Sequence, residues 1–188
     1  KSSTGVITYT LKSVTKSQKV TVTFKKSNTA KNWNNPFTDV SATDSYYSAV
    51  KFVYENNLFK GTTTTKFGPD TTMTRAMFVT VLGRLAGVDV SRFKTSSYSD
   101  VPINATTTWY APYVEWATQM GLVEGYGDGT FGPDNKITHQ QMYVLMYKYS
   151  IFVENKKTNI SGTSINASDA EEVADWAKDA VKYASQQN

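Results

Sequence analysis

One pattern is written twice between residues 37 and 151, and this repetition constrains the fold more than any other feature of the chain. The stretch FTDVSATDSYYSAVKFVYENNLFKG (37–61) aligns with YSDVPINATTTWYAPYVEWATQMGLVEG (98–125). TKFGPDTTMTRAMFVTVLGRLAG (65–87) aligns with GTFGPDNKITHQQMYVLMYKYSI (129–151). In the second pair of blocks the offset is 64 residues throughout, setting Phe67 on Phe131, Asp70 on Asp134 and Thr74 on Thr138. The leading aspartates, Asp39 and Asp100, stand 61 apart because the second copy has the longer loop. A third copy starts late: ADWAKDAVKYASQQN (174–188) matches WYAPYVEWATQMG when Trp176 is set on Trp109, and it reaches Asn188 opposite Gly121.

Each copy reads as a helix, a loop and a second helix. Val114, Ala117 and Gly121 share a face of the first helix in copy two, with Trp109, Tyr113 and Trp116 beside it. The second helix carries Phe78, Val81, Leu82 and Leu85 in copy one, and Met142, Leu145, Met146 and Tyr149 in copy two. That spacing predicts one buried stripe per helix. The F-G-P-D step between the helices turns the chain back. A unit with a single stripe cannot bury it alone, so several copies must pack around a common axis.

The N-terminal segment differs. Ile7, Tyr9, Leu11 and then Val20, Val22, Phe24 alternate with polar residues, the pattern of a β-hairpin turning at Lys12–Gln18. It is similar to the last hairpin of a bacterial immunoglobulin-like or related β-repeat module, and a polar linker follows it. Lys1 opens the chain without a Met, which reads as a processed or excised piece. The net charge of +4 belongs to this end: residues 1–31 hold seven lysines and no acid, whereas 32–188 hold 13 basic and 16 acidic side chains. A basic face on the folded repeats, which nucleic-acid binding needs, is therefore not expected. No apolar run is long enough for a membrane span. With no cysteine and a single histidine, thiol chemistry, disulfides and multi-histidine metal sites are not expected either.

The start of each second helix is the most informative place for chemistry. Thr74 suits an N-cap and puts Arg75 at the first helical position; Thr138 with Gln141 forms a capping box. Free N–H groups at such a helix start favour an anion, and a guanidinium fork suits a carboxylate. The same residues also fit a purely structural role, with Thr74 as a cap and Arg75 paired to a nearby Asp. Gly127-Asp128-Gly129 reads as a turn rather than a calcium loop, and the Glu171, Glu172, Asp175, Asp179 cluster as a solvated helical face. No carboxylate pair is placed to face another across a sugar cleft, so no enzymatic activity, cofactor or metal is expected.

Taken together, Phe/Tyr-x-Asp-Val, the Ala/Val-rich helix, Gly-Leu-Val-x-Gly, Gly-Asp-Gly-Thr-Phe-Gly-Pro-Asp and Ile/Met-Thr-Arg-Ala resemble the S-layer homology (SLH) domain over roughly residues 36–188. The resemblance implies a mainly α fold: a pseudo-threefold bundle of helix-loop-helix repeats with grooves between neighbours, here preceded by the short β-hairpin. The chain then divides into a hairpin (1–26), a linker (27–36), repeats over 37–97 and 98–160, and a partial third repeat (161–188). The function implied is non-catalytic: the module binds secondary cell-wall polysaccharide, often ending in pyruvylated N-acetylmannosamine, and holds a secreted protein on the surface of Gram-positive-type bacteria. By the same resemblance Arg75, beside Thr74, faces the pyruvate carboxylate, in a groove between the first and second repeats. Asp39 and Asp100 match the aspartate that opens each repeat, and Trp109 and Trp176 the aromatic near the groove. Each has a structural alternative as well, the aspartates as caps of the following helix and the tryptophans as core.

Two departures stand out. His139 occupies the arginine position in copy two, where a neutral imidazole is a weak partner for a carboxylate, so the groove using it is expected to be weak. The third copy carries no second helix within the sequence and hence no arginine there. Both features favour a second reading, a protein–protein or oligomerisation module among other surface-layer proteins.

Overall fold

Both full copies fold as the sequence predicts, two helices joined by a glycine-containing loop, in a computed structural model that describes residues 33–165 and 170–186. Copy one supplies α1 (Tyr47–Glu55) and α2 (Arg75–Leu85), copy two α3 (Ala111–Gln119) and α4 (His139–Phe152), and the third copy α5 (Lys178–Ser185). The described residues contain no strand, only an isolated antiparallel bridge between Thr74 and Lys136. The expected hairpin at 1–26 and most of the linker lie outside the described residues.

The helix boundaries follow from local chemistry. Thr74 caps α2, its hydroxyl accepting the Met77 N–H at 3.3 Å. Thr138 caps α4 in a complete box, its hydroxyl taking Gln141 N–H while Gln141 Oε1 takes Thr138 N–H, both at 3.2 Å. At their C-termini α1 and α3 end alike, through a left-handed residue: Asn57 (φ 57°) in copy one and Gly121 (φ 69°) in copy two. The next amides, of Leu58 and Leu122, fold back to the carbonyls of Val53 and Ala117 at 2.8 Å.

One core joins the copies. Phe78, Val79 and Leu82 of α2 pack with Val114, Trp116 and Ala117 of α3, with Phe131 and Ile137 of the second loop, and with Leu145 and Tyr149 of α4. α5 packs on α4 as α3 packs on α2. The buried stripes are not quite those expected. Leu85 and Met146 are about half exposed, whereas Val79 and Thr80 are buried. The reason is that α2 is covered on two sides by the next copy, by α3 and by the second loop with Phe131 and Ile137. Its buried arc is accordingly wider than one stripe and includes Gly83, whose Cα lies against the Tyr113 ring. Gly121 is exposed as a helix end rather than lying on the core face.

Candidate functional site

The two loops that carry F-G-P-D are built identically. The Asp39 carboxylate accepts the N–H groups of Phe67 and Gly68, each at 2.9 Å. Asp100 accepts those of Phe131 (2.8 Å) and Gly132 (2.7 Å). Gly68 and Gly132 hold left-handed φ values of 76° and 69°, which aim consecutive amides at one carboxylate. The aspartates therefore do not cap the helices that follow, which begin without any side-chain cap. They tie the start of each repeat to its central turn. Partial desolvation raises the Asp39 carboxyl, but the amides of Phe67 and Gly68, with Lys66 close by, outweigh it and hold the pKa below the ordinary 3.8. A carboxyl depressed in the folded state stabilises it above the unfolded pKa and stops doing so as pH falls through the folded value. The gap in melting temperature between wild type and Asp39→Asn is thus expected to be full near neutrality and to close below about pH 4, read by thermal melts across pH. A gap that persists at pH 2–3 would remove the carboxylate from this role.

Arg75 is 9% exposed and reaches across the repeat boundary. Its Nε donates to Phe131 O at 3.0 Å and its Nη2 contacts Glu124 O at 3.5 Å. The guanidinium carbon lies 4.6 Å from the Phe131 ring centre and 5.1 Å from that of Tyr126. Its backbone N–H goes to Asn135 O (2.9 Å), that of Ala76 to Pro133 O (3.1 Å), and Met73 O accepts Ile137 N–H (3.0 Å). These bonds correct the anion-site expectation for α2. The first two helix amides bind carbonyls of the second loop and the third binds the Thr74 hydroxyl, so Thr74 Oγ is committed to capping and the amides of Arg75, Ala76 and Met77 are all taken. Arg75 pairs with no aspartate; it is a staple into copy two.

Two equivalent grooves flank this arrangement. Groove one, about 310 Å³, is lined by Phe59, Lys60, Met77, Val81, Arg84 and Trp109, among others. Groove two, about 340 Å³, is lined by Val123, Glu124, Gln141, Leu145, Lys148 and Trp176, and by Arg75. The first five of each set stand 64 residues apart, and the tryptophans are the pair matched in the alignment. Each groove is thus one site written twice: the end of a first helix, one face of a second helix, and a tryptophan from the next copy.

The tryptophans are not core, being 44% (Trp109) and 60% (Trp176) exposed; Trp116 fills the core instead. Arg75 opens onto groove two rather than onto the groove between the first and second repeats. It meets Trp176 there, while Trp109 lines groove one. His139 is exposed at the start of α4 and lines neither groove. Asp39 and Asp100 likewise line neither.

Lys60, Arg84 and Lys148 enter as groove residues that sequence reasoning passed over. The signal was the 64-residue offset itself, which places a cation at both Arg84 and Lys148. In groove one, Lys60 and Arg84 face a cavity whose lining has no acid, and Arg84 is braced by donating to Leu58 O at 3.1 Å. In groove two, Lys148 pairs with Glu124 at 3.3 Å, and Arg75 adds a second cation. Among the described residues no group of His, Cys, Asp or Glu is placed to hold a metal ion.

Comparison with known proteins agrees with this architecture. The pattern that defines the S-layer homology domain matches residues 36–77 and 97–142. The chain is 29% identical over 149 residues to an endoglucanase of Bacillus sp. (strain KSM-635), covering 79% of this chain and 15% of that protein. It is 34% identical over 110 residues to a cell surface protein of Thermoanaerobacter kivui (56% of this chain, 14% of that one). A cellulosome-anchoring protein of Acetivibrio thermocellus is 28% identical over 112 residues, 60% of this chain and 24% of its own length. The chain thus spans a quarter or less of each of these relatives.

Proposed function

Because residues 36–77 and 97–142 are S-layer homology domains, a family that anchors surface proteins to the cell wall, we propose that this chain is a non-catalytic wall anchor whose two grooves bind an anionic secondary cell-wall polysaccharide. A pyruvylated N-acetylmannosamine end is the ligand chemistry the grooves fit best. The observation that carries this is the repeated pairing of an exposed tryptophan with an unburied cation: Trp109 with Arg84 and Lys60, Trp176 with Lys148, beside the buried Arg75. An indole face suits the apolar face of a sugar ring and the methyl of a pyruvate ketal. The cations answer the ketal carboxylate, Arg84 through a planar fork and the lysines as point charges. Two modest sites on a repetitive polymer reinforce each other, because the second contact is intramolecular once the first has formed.

The test is co-sedimentation with peptidoglycan sacculi, native or acid-stripped of secondary polymer. Lys60 and Trp109 are exposed and tie no elements together, so Lys60→Ala and Trp109→Ala leave the fold intact. Each is expected to weaken binding about tenfold, the loss of one charged or stacking contact, and a Trp109→Ala/Trp176→Ala double variant more than either single one. Binding that survives stripping, or that ignores both tryptophans, would overturn the carbohydrate reading.

A further inference from the structure

The two grooves are alike in layout and unlike in charge. Among the positions they share 64 residues apart, Phe59 and Val123 are both apolar, as are Val81 and Leu145, and Arg84 and Lys148 are both cations. Met77 gives way to the neutral Gln141, and only at Lys60 and Glu124 does the charge change sign. The consequences are visible in each groove. No acid lines groove one, and among the described residues neither Lys60 nor Arg84 forms an ion pair. The same two cations also line an adjoining cavity of about 430 Å³ with Asn56, Asn57 and Tyr113, again without an acid. In groove two the Glu124 carboxylate holds the Lys148 ammonium at 3.3 Å, and Arg75 is buried with its Nε on Phe131 O. The Glu124 side chain is itself open to solvent, so it meets whatever enters the groove.

We infer that the residue at this position selects the ligand of each groove: Lys60 makes groove one the site of a carboxylated sugar unit, and Glu124 makes groove two a site that favours an uncharged unit of the same polymer. This rests on the carbohydrate reading of the grooves and adds which groove takes which chemistry. A carboxylate entering groove one meets Lys60 and the Arg84 fork with no competing anion. In groove two it must displace Glu124 from Lys148 and then lie beside a like charge. An uncharged N-acetylhexosamine meets no such obstacle. Its hydroxyl and amide groups donate to the Glu124 carboxylate while its apolar face lies on Trp176. Groove two therefore holds a carboxylated end weakly, and a polymer with a carboxylated end and uncharged units satisfies both grooves at once.

The indole N–H signals of Trp109 and Trp176 report the two grooves separately in ¹⁵N spectra of the full chain, assigned with Trp109→Phe and Trp176→Phe. The probes are the methyl glycoside of N-acetylmannosamine and its pyruvate ketal. The ketal is expected to move the Trp109 signal at about tenfold lower concentration than the Trp176 signal, and the uncharged glycoside to move both at similar concentrations. Glu124→Lys, at an exposed side chain, is expected to bring the ketal response of Trp176 level with that of Trp109. Lys60→Glu, also exposed, is expected to weaken the ketal response of Trp109 about tenfold. High salt is expected to narrow the ketal preference, since the groups that set it are solvent-exposed. Three results would overturn the inference and leave the carbohydrate reading standing: equal ketal affinity in both grooves, a Trp176 response that Glu124→Lys leaves unchanged, or the same preference shown by the uncharged glycoside. No shift of either indole with either probe at millimolar concentration would overturn both.

Discussion

Arg75→Ala is expected to destabilise the protein by about 2–4 kcal/mol, the cost of orphaning the buried Phe131 carbonyl and leaving a cavity beside two rings. Phe131 O and Glu124 O lose their donor, and the Phe131 and Tyr126 faces lose the guanidinium stacked on them. The backbone bonds of Arg75 and Ala76 to the second loop persist, so the two repeats stay joined but loosely. Urea unfolding at neutral pH measures the effect. Arg75→Lys is expected to restore less than half, because an ammonium cannot reproduce the Nε bond and lies less well on an aromatic face. A neutral result for Arg75→Ala would show that the helix-start backbone alone holds the repeats together. This expectation also governs the reading of wall-binding experiments. Loss of binding in Arg75→Ala combines loss of a cation from groove two with loosening of the repeat boundary, which is why Lys60 and Trp109 are the cleaner probes.

Asp100→Ala is expected to cost about 2–3 kcal/mol, since two amides lose a charged acceptor at once. The effect reaches beyond the turn. Phe131 N–H is held by Asp100 while Phe131 O is held by Arg75, so one residue carries a bond from its own repeat and one from its neighbour. Asp100→Asn keeps one acceptor and is expected to recover about half of the loss. Because Asp100 and Arg75 act on the same residue, the double variant with Arg75→Ala is expected to fall short of the sum of the two single effects. Full additivity, measured in the same urea series, would show that the Phe131 peptide does not couple them.

Much of the fold was legible because its determinants are local. The 64-residue offset placed equivalent residues in both copies, and Thr74 and Thr138 cap where their side chains had to. The buried stripes were legible in part: Phe78, Leu82, Leu145 and Tyr149 are buried as predicted. Val81 and Leu85 are displaced by Val79 and Thr80, since periodicity assumes one covered face and α2 has two. The site was less legible. Thr74, Arg75, Asp39 and Asp100 have the right chemistry for a carboxylated sugar, yet Thr74 is taken by the Met77 N–H of its own helix start, and backbone groups 28 to 56 residues away claim the other three side chains. A hydrogen-bonding side chain is specified by its type, but its partner is chosen by whichever unsatisfied group folding brings within 3 Å.

The repeat unit, its caps, its turns and its wall-anchoring family are therefore written in the sequence, because each depends on residues within one repeat. Tertiary structure alone decided which polar groups remain available. Packing two copies side by side buried the Arg75 guanidinium as a staple and gave the first two amides of α2 carbonyl partners in place of an anion. The same packing left Trp109 and Trp176 standing beside the cations of two matched grooves. Those outcomes rest on contacts between repeats, and the long-range geometry that sets such contacts has no period in the chain.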